Sequence, residues 1–253
     1  MNPLDPSHLL ASRARPDGRP AMCQEWRDLL FIHWTLEPEV VQRLLPPGLT
    51  VDGFPDASGE LKAWVALVPF TMHGIRPIHA PALPWISAFP ETNVRTYVHR
   101  EGRDPGVWFF SLDAARWLAC AYARLAYALP YHHAFMSLRR MGERRDYRSR
   151  RTNGGAQLEV EYEIGEPMPK PEPGTLEFFL VERYRLYAYR QGRLFDGMVA
   201  HEPYSIRRAS LGRLQETYME AAGLPVGDVA HLAYSPGVKV EVWPIREVGN
   251  IAR

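Results

Sequence analysis

Between Asn93 and His99 the chain reads Asn-Val-Arg-Thr-Tyr-Val-His, an alternation of period two that an extended strand turns into two chemically distinct faces. Asn93, Arg95, Tyr97 and His99 share one face, and Val94, Thr96 and Val98 the other. One face is apolar or small; the other is suited to line a polar cavity. Gly102 to Gly106 supply a turn, and Val107-Trp108-Phe109-Phe110 follows, apolar on both faces as in a strand covered on both sides. A helix is expected next, with Asp113 as its cap, Leu112 and Trp117 as a hydrophobic staple and Pro130 as its end. Such a helix delivers Tyr131, His132 and His133 to a fixed place.

Further strands are predicted on both sides of this stretch. They cover Met22 to Trp34, Ala63 to Phe70, Ala134 to Arg140, Arg144 to Arg151, Ala156 to Ile164, Leu176 to Tyr189, Phe195 to Glu202 and His231 to Trp243. In the Ala156 to Ile164 strand, Leu158, Val160, Tyr162 and Ile164 point inward and Glu159, Glu161 and Glu163 outward. A short helix is expected after Pro38 and a longer one over Ser205 to Ala222. Thr71 to Pro90, with four prolines, reads as a long loop whose Trp85 and Phe89 either cover a pocket or pack over the edge of the core. Residues 1–21 read as a tail that wraps or frays, and 22–253 as a single α+β, strand-rich domain with two or three helices.

Apolar residues make up 46% of the 253, enough for a substantial core, and a formal charge of +1 gives no general electrostatic reason to bind nucleic acid or membrane. The arginines of Arg139 to Arg151 lie beside a glutamate-rich strand, so cross-strand charge pairs account for them. Two cysteines make no disulfide framework. With no signal-peptide pattern and no apolar run of about 18 residues, a soluble, cytoplasmic protein is expected. A homo-oligomer stays open.

No Gly-rich nucleotide loop, HExxH or GxSxG motif is present. His132 and His133, adjacent on an extended chain, point to opposite faces, so no metal site is expected there, and no cofactor is implied. Glu91, Arg95 and Tyr97 form either a polar wall that orients an anionic or carbonyl ligand, or a structural ion pair on a half-buried strand. Arg183 is a weaker candidate for the same wall, and its neighbour Glu182 needs a partner if buried. Tyr131 and His132 are the acid–base candidates.

The segments LLPPGLTVD, AWVALVPFTMHGIRP, FPETNVRTYV, GVWFFSLDA, LPYHHAFM, FLVERYRLY and YSPGVKVEVW together resemble the YqjF-like family of bacterial proteins, a domain-of-unknown-function family, over about residues 22–245. That family is linked by fold to acetoacetate decarboxylase, which implies a cone or barrel of mostly antiparallel strands around a small-molecule cavity. In acetoacetate decarboxylase a strand glutamate precedes a helix that ends in Pro-Lys-Lys, and the first lysine forms a Schiff base with the keto acid. Glu91 matches the glutamate and Pro130 the proline. Tyr131 and His132 stand where the lysines would be, and an imidazole cannot form the iminium electron sink.

The resulting expectation is a protein that binds a small carboxylate or carbonyl compound, with Glu91, Tyr131 and His132 as catalytic candidates and Asn93, Arg95, Tyr97 and Arg183 as ligand-binding ones. Any enzymatic activity would be lyase or hydrolase-like chemistry without a lysine Schiff base. The alternative is a non-catalytic ligand-binding or interaction module; nucleic-acid binding through the Arg-rich ribbon is the remaining option.

Overall fold

The computed structural model describes residues 4–82, 87–117, 120 and 129–248. Among them, fourteen strands join in one sheet and four helices are short. In chain order the strands are β1 (Met22–Leu36), β2 (Thr50–Val51), β3 (Gly53–Pro55), β4 (Leu61–Pro77), β5 (Phe89–Arg100), β6 (Arg103–Ala114), β7 (Tyr131–Met141), β8 (Arg144–Arg151), β9 (Gln157–Pro167), β10 (Arg185–Arg190), β11 (Arg193–His201), β12 (Arg207–Glu216), β13 (His231–Val242) and β14 (Arg246–Glu247). The helices are α1 (Pro6–Ala11), α2 (Pro38–Gln42), α3 (Leu176–Val181) and α4 (Tyr218–Ala221). Pairing is antiparallel except where β6 meets β7 and β10.

The pairings close two rings that share the wall β13-β1-β4-β5-β6. One ring is completed by β7, β8, β9 and β12, the other by β10 and β11. This explains why β1 and β4 are apolar on both faces: each face belongs to a different interior. Leu29, Phe31, Ala66 and Val68 pack in the smaller ring with Phe70 and Val240, while Leu30, Ile32, Val65 and Leu67 pack in the larger one with Leu158 and Val160. Burying each such side chain stabilises the fold by roughly 1.5–3 kcal/mol. β5 divides as its alternation requires, Tyr97 going to the first cluster and Val94 to the second. Gly106 permits the β6–β10 contact, because a Cβ there would lie 2.8 Å from the Arg185 carbonyl oxygen.

Several expectations change. Leu176–Val181 is helix, not strand: the Thr175 hydroxyl accepts from the Phe178 amide at 3.3 Å, and Phe178 to Val181 are all buried, so no polar face marks the period. The helix expected over Ser205 to Ala222 is strand β12, paired with β9, and only Tyr218–Ala221 is helical. The long loop expected from Thr71 to Pro90 is cut back at both ends, because β4 continues to Pro77 and β5 begins at Phe89; Trp85 lies outside the described residues. Asp113 is not a helix cap but the penultimate residue of β6, with Leu112 inside and Trp117 exposed, so no staple forms between them. Most of the helix expected before Pro130 lies outside the described residues. The N-terminal stretch contains α1, which buries Leu9, and is tied down by Arg13 to Glu182 at 2.9 Å and Arg15 to Glu241 at 2.7 Å.

The β7–β8 hairpin and β9 match the sequence reading, but among the described residues only one arginine of the hairpin, Arg144, pairs with a glutamate of β9, the others that form ion pairs turning to aspartates. Arg140 and Arg145 hold Asp28, Arg144 reaches Glu163, and Arg151 binds Asp113.

Candidate ligand-binding cavity

The inner face of β5 presents Glu91, Asn93 and Arg95 to a cavity of about 140 Å³ inside the smaller ring. The rest of its wall is mostly apolar. Trp26 and Leu29 come from β1, Val68, Phe70 and Met72 from β4, Phe109 and Leu112 from β6, and Val199 and Val242 from β11 and β13. Tyr131 enters at the start of β7, where parallel pairing sets it beside Leu112. Arg183 follows α3 and Arg185 opens β10.

Glu91 is 2% exposed, and the Tyr131 hydroxyl lies 3.2 Å from each of its carboxyl oxygens. Burial pushes the Glu91 pKa up to about 8; the Tyr131 hydrogen bond acts against this, and the negative charge of Asp113 adds to it. Glu91 is therefore largely a neutral carboxylic acid at pH 7. Tyr131 is itself pushed well above the usual phenol range, by burial first and then by the Glu91 charge. Asp113 is fully buried and held by Arg151 through two contacts of 2.8 Å.

Arg95 is in the opposite situation. Its guanidinium rests against the rings of Phe31 and Tyr97, 5.5 and 5.9 Å from their centres, and its Nε is buried without an acceptor. Among the described residues no carboxylate pairs with Arg95, so the ion pair with Glu91 entertained from the sequence does not form. The Asn93 side-chain oxygen is likewise buried without a partner. Arg183 differs: Asp52 binds it at 2.7 Å with both side chains 1% exposed, and its Nε donates to the Phe179 carbonyl. An arrangement of this kind can hold an anion at Arg95 and offer neutral donors from Glu91 and Tyr131 to a carbonyl oxygen.

Not every expected residue joins the cavity. Tyr97 lies under Arg95, where its hydroxyl donates to the Leu180 carbonyl and meets His33 Nε2, both at 2.8 Å. His33 in turn lies 3.3 Å from His231 through their Nδ1 atoms. Burial holds the His33 pKa well below the ordinary range, and the charges of His231 and Arg95 add to the effect. His132 is not among the lining residues, as its place next to Tyr131 on one strand dictates. Gln24, Trp26 and Arg185 on their strands and Tyr204 in the connection between β11 and β12 line the cavity without a sequence signal for it, because closure of the ring brings them in from distant segments. Glu182, fully buried, finds Arg13 at 2.9 Å and the Tyr184 hydroxyl at 2.5 Å. Among the described residues no group of three or more His, Cys, Asp or Glu is placed to hold a metal ion. Lys62, Lys170 and Lys239 all lie outside the lining.

Comparison with known proteins follows the same lines. The family DUF2071, described as an uncharacterized conserved protein, matches residues 23–239. The uncharacterized protein YqjF of Bacillus subtilis (strain 168) is 36% identical over 238 residues, covering 92% of this chain and 94% of that protein. Among solved structures, the enduracididine biosynthesis enzyme MppR complexed with pyruvate superposes with a TM-score of 0.63 at 13% identity, covering 93% of each chain. Acetoacetate decarboxylase from Legionella pneumophila subsp. pneumophila str. Philadelphia 1 gives a TM-score of 0.63 at 12% identity, covering 92% of this chain and 89% of that one. At such identities the likeness is one of fold, and it agrees with the strand-rich architecture. The chain belongs to the DUF2071 family, with YqjF as a relative and an acetoacetate decarboxylase-like fold.

Proposed function

We propose that the cavity binds a small carboxylate or carbonyl compound, with Arg95 holding the anion, Asn93 beside it, and Glu91 with Tyr131 facing the ligand's carbonyl. The observation that carries this reading is the Arg95 guanidinium, which lines the cavity with no carboxylate partner among the described residues. A cation in an apolar enclosure is costly unless an anion joins it, so the missing charge is the ligand's to supply. Neutral Glu91 can then donate a hydrogen bond or a proton to the carbonyl, which is what lyase or hydrolase-like chemistry requires. No lysine lines the space, so a Schiff base is not part of the proposal.

A specific observation favours the second reading, a binder without chemistry: among the described residues no Lys, Cys, Ser or His side chain lines the cavity. Thermal shift against short carboxylates, followed by NMR of any stabilising ligand, separates the two. Consumption of the ligand makes the protein an enzyme; a stabilising ligand that persists makes it a binder. Borohydride trapping should give no adduct, and a stable adduct on any lysine would overturn the proposal.

A further inference from the structure

The walls of the cavity are unequal, and the inequality bears on what fills it. Apart from Gln24 on β1, Tyr131 at the start of β7 and Tyr204, the polar side chains come from β5 and from the α3–β10 segment; β4, β6, β11 and β13 contribute only apolar ones. Along β5 the order is Arg95, Asn93, Glu91, Phe89, at two-residue steps of about 7 Å. On the neighbouring strand β4, Ala66 pairs with Arg95, Val68 with Asn93, Phe70 with Glu91 and Met72 with Phe89. A ligand whose carboxylate sits at Arg95 therefore extends along a passage with Asn93, Glu91 and Tyr131 on one side and Val68 and Phe70 on the other, which ends on the apolar Met72 and Phe89. The 140 Å³ available corresponds to roughly five to ten water-sized groups at about 15–30 Å³ each. A carboxylate uses three of these.

We infer that the ligand class is an amphipathic monocarboxylate, with a charged head at Arg95 and an unbranched or ring-shaped apolar tail of several carbons running past Val68 and Phe70 towards Met72. This rests on the reading of Arg95 as the anion anchor and adds the tail to it. A compact acid with polar groups throughout leaves the Phe70, Met72 and Phe89 end of the passage unfilled. Oxygens placed beyond Glu91 and Tyr131 would lie against Met72 and Phe89, which cannot hydrogen-bond them.

Isothermal titration of the full-length protein with acetate, butanoate, hexanoate and decanoate, together with the uncharged amide of hexanoate, tests this. The expected result is a gain of about two- to fourfold in affinity per methylene from acetate to hexanoate. The gain flattens or reverses by decanoate, and the amide binds at least tenfold more weakly than hexanoate. Equal affinities across the acids would overturn the inference and leave the carboxylate reading standing. Failure of every acid to bind, or an amide that binds as well as its acid, would overturn the carboxylate reading and the inference with it.

Discussion

The Tyr131 hydroxyl lies 3.2 Å from both carboxyl oxygens of Glu91, and among the described residues no cation pairs with that carboxyl group. A phenol and a carboxylic acid thus share one buried site in which the neutral form of each is favoured by its surroundings. The pair has consequences for stability as well as for ligand binding.

The unfolded chain releases the Glu91 proton near pH 4.5, whereas the native protein keeps it up to about pH 8. Between those limits the native state binds more protons, so this group makes stability fall as pH rises, by up to about 1.4 kcal/mol per pH unit. Glu91→Gln removes the dependence. Urea unfolding at about pH 5 and about pH 8 should show the wild type losing about 2–4 kcal/mol relative to the variant. Parallel pH profiles would show that Glu91 titrates normally.

His33 acts at the other end of the range. Fully buried against Tyr97 and His231, with Glu177 beyond His231 and Arg95 beyond Tyr97, it stays neutral in the native protein below pH 6.5, where the unfolded chain takes up a proton. The native state then binds fewer protons, and stability falls as pH drops below that value. His33→Gln retains hydrogen-bonding capacity but does not titrate. Its melting temperature should fall less steeply than the wild type's between about pH 6.5 and about pH 5, and an unchanged slope would contradict the assignment.

The buried Asp113–Arg151 pair, with two 2.8 Å contacts, anchors the end of β6 beside Glu91. Asp113→Ala leaves a guanidinium only 10% exposed without its partner, at a cost of about 3–5 kcal/mol in urea unfolding. Arg151→Met added to Asp113→Ala should recover more than half of that loss, because it removes the orphaned charge. Strict additivity of the two changes would show that the pair contributes no coupling.

How much of this could be read in the sequence depended on where each residue's partners lie. The β5 alternation was legible because a strand with two unlike faces leaves a period-two record, and Glu91, Asn93 and Arg95 accordingly reach one cavity. Tyr97 shares their parity but not their role, since its contacts with His33 and Leu180 come from segments 64 and 83 residues away. Phe178 to Val181 misled for a different reason: a helix buried on all sides shows the same unbroken apolar run as a buried strand. β12 misled in the reverse sense. Its half-exposed alternation of Arg, Ser, Leu and Gln lacks the β-branched residues that mark a strand, and only pairing with β9 makes it one.

The anchoring role of Arg95 is tested by titrating the tightest-binding member of a short monocarboxylate series into the wild type and into Arg95→Met, with circular dichroism confirming that both are folded. The structure predicts that Arg95→Met weakens the acid by at least about tenfold, roughly 1.4 kcal/mol or more, and leaves the uncharged amide within about twofold. Equal affinity of the acid for the two proteins would contradict the account, because the one cavity cation without a carboxylate partner among the described residues would then have no part in holding the ligand.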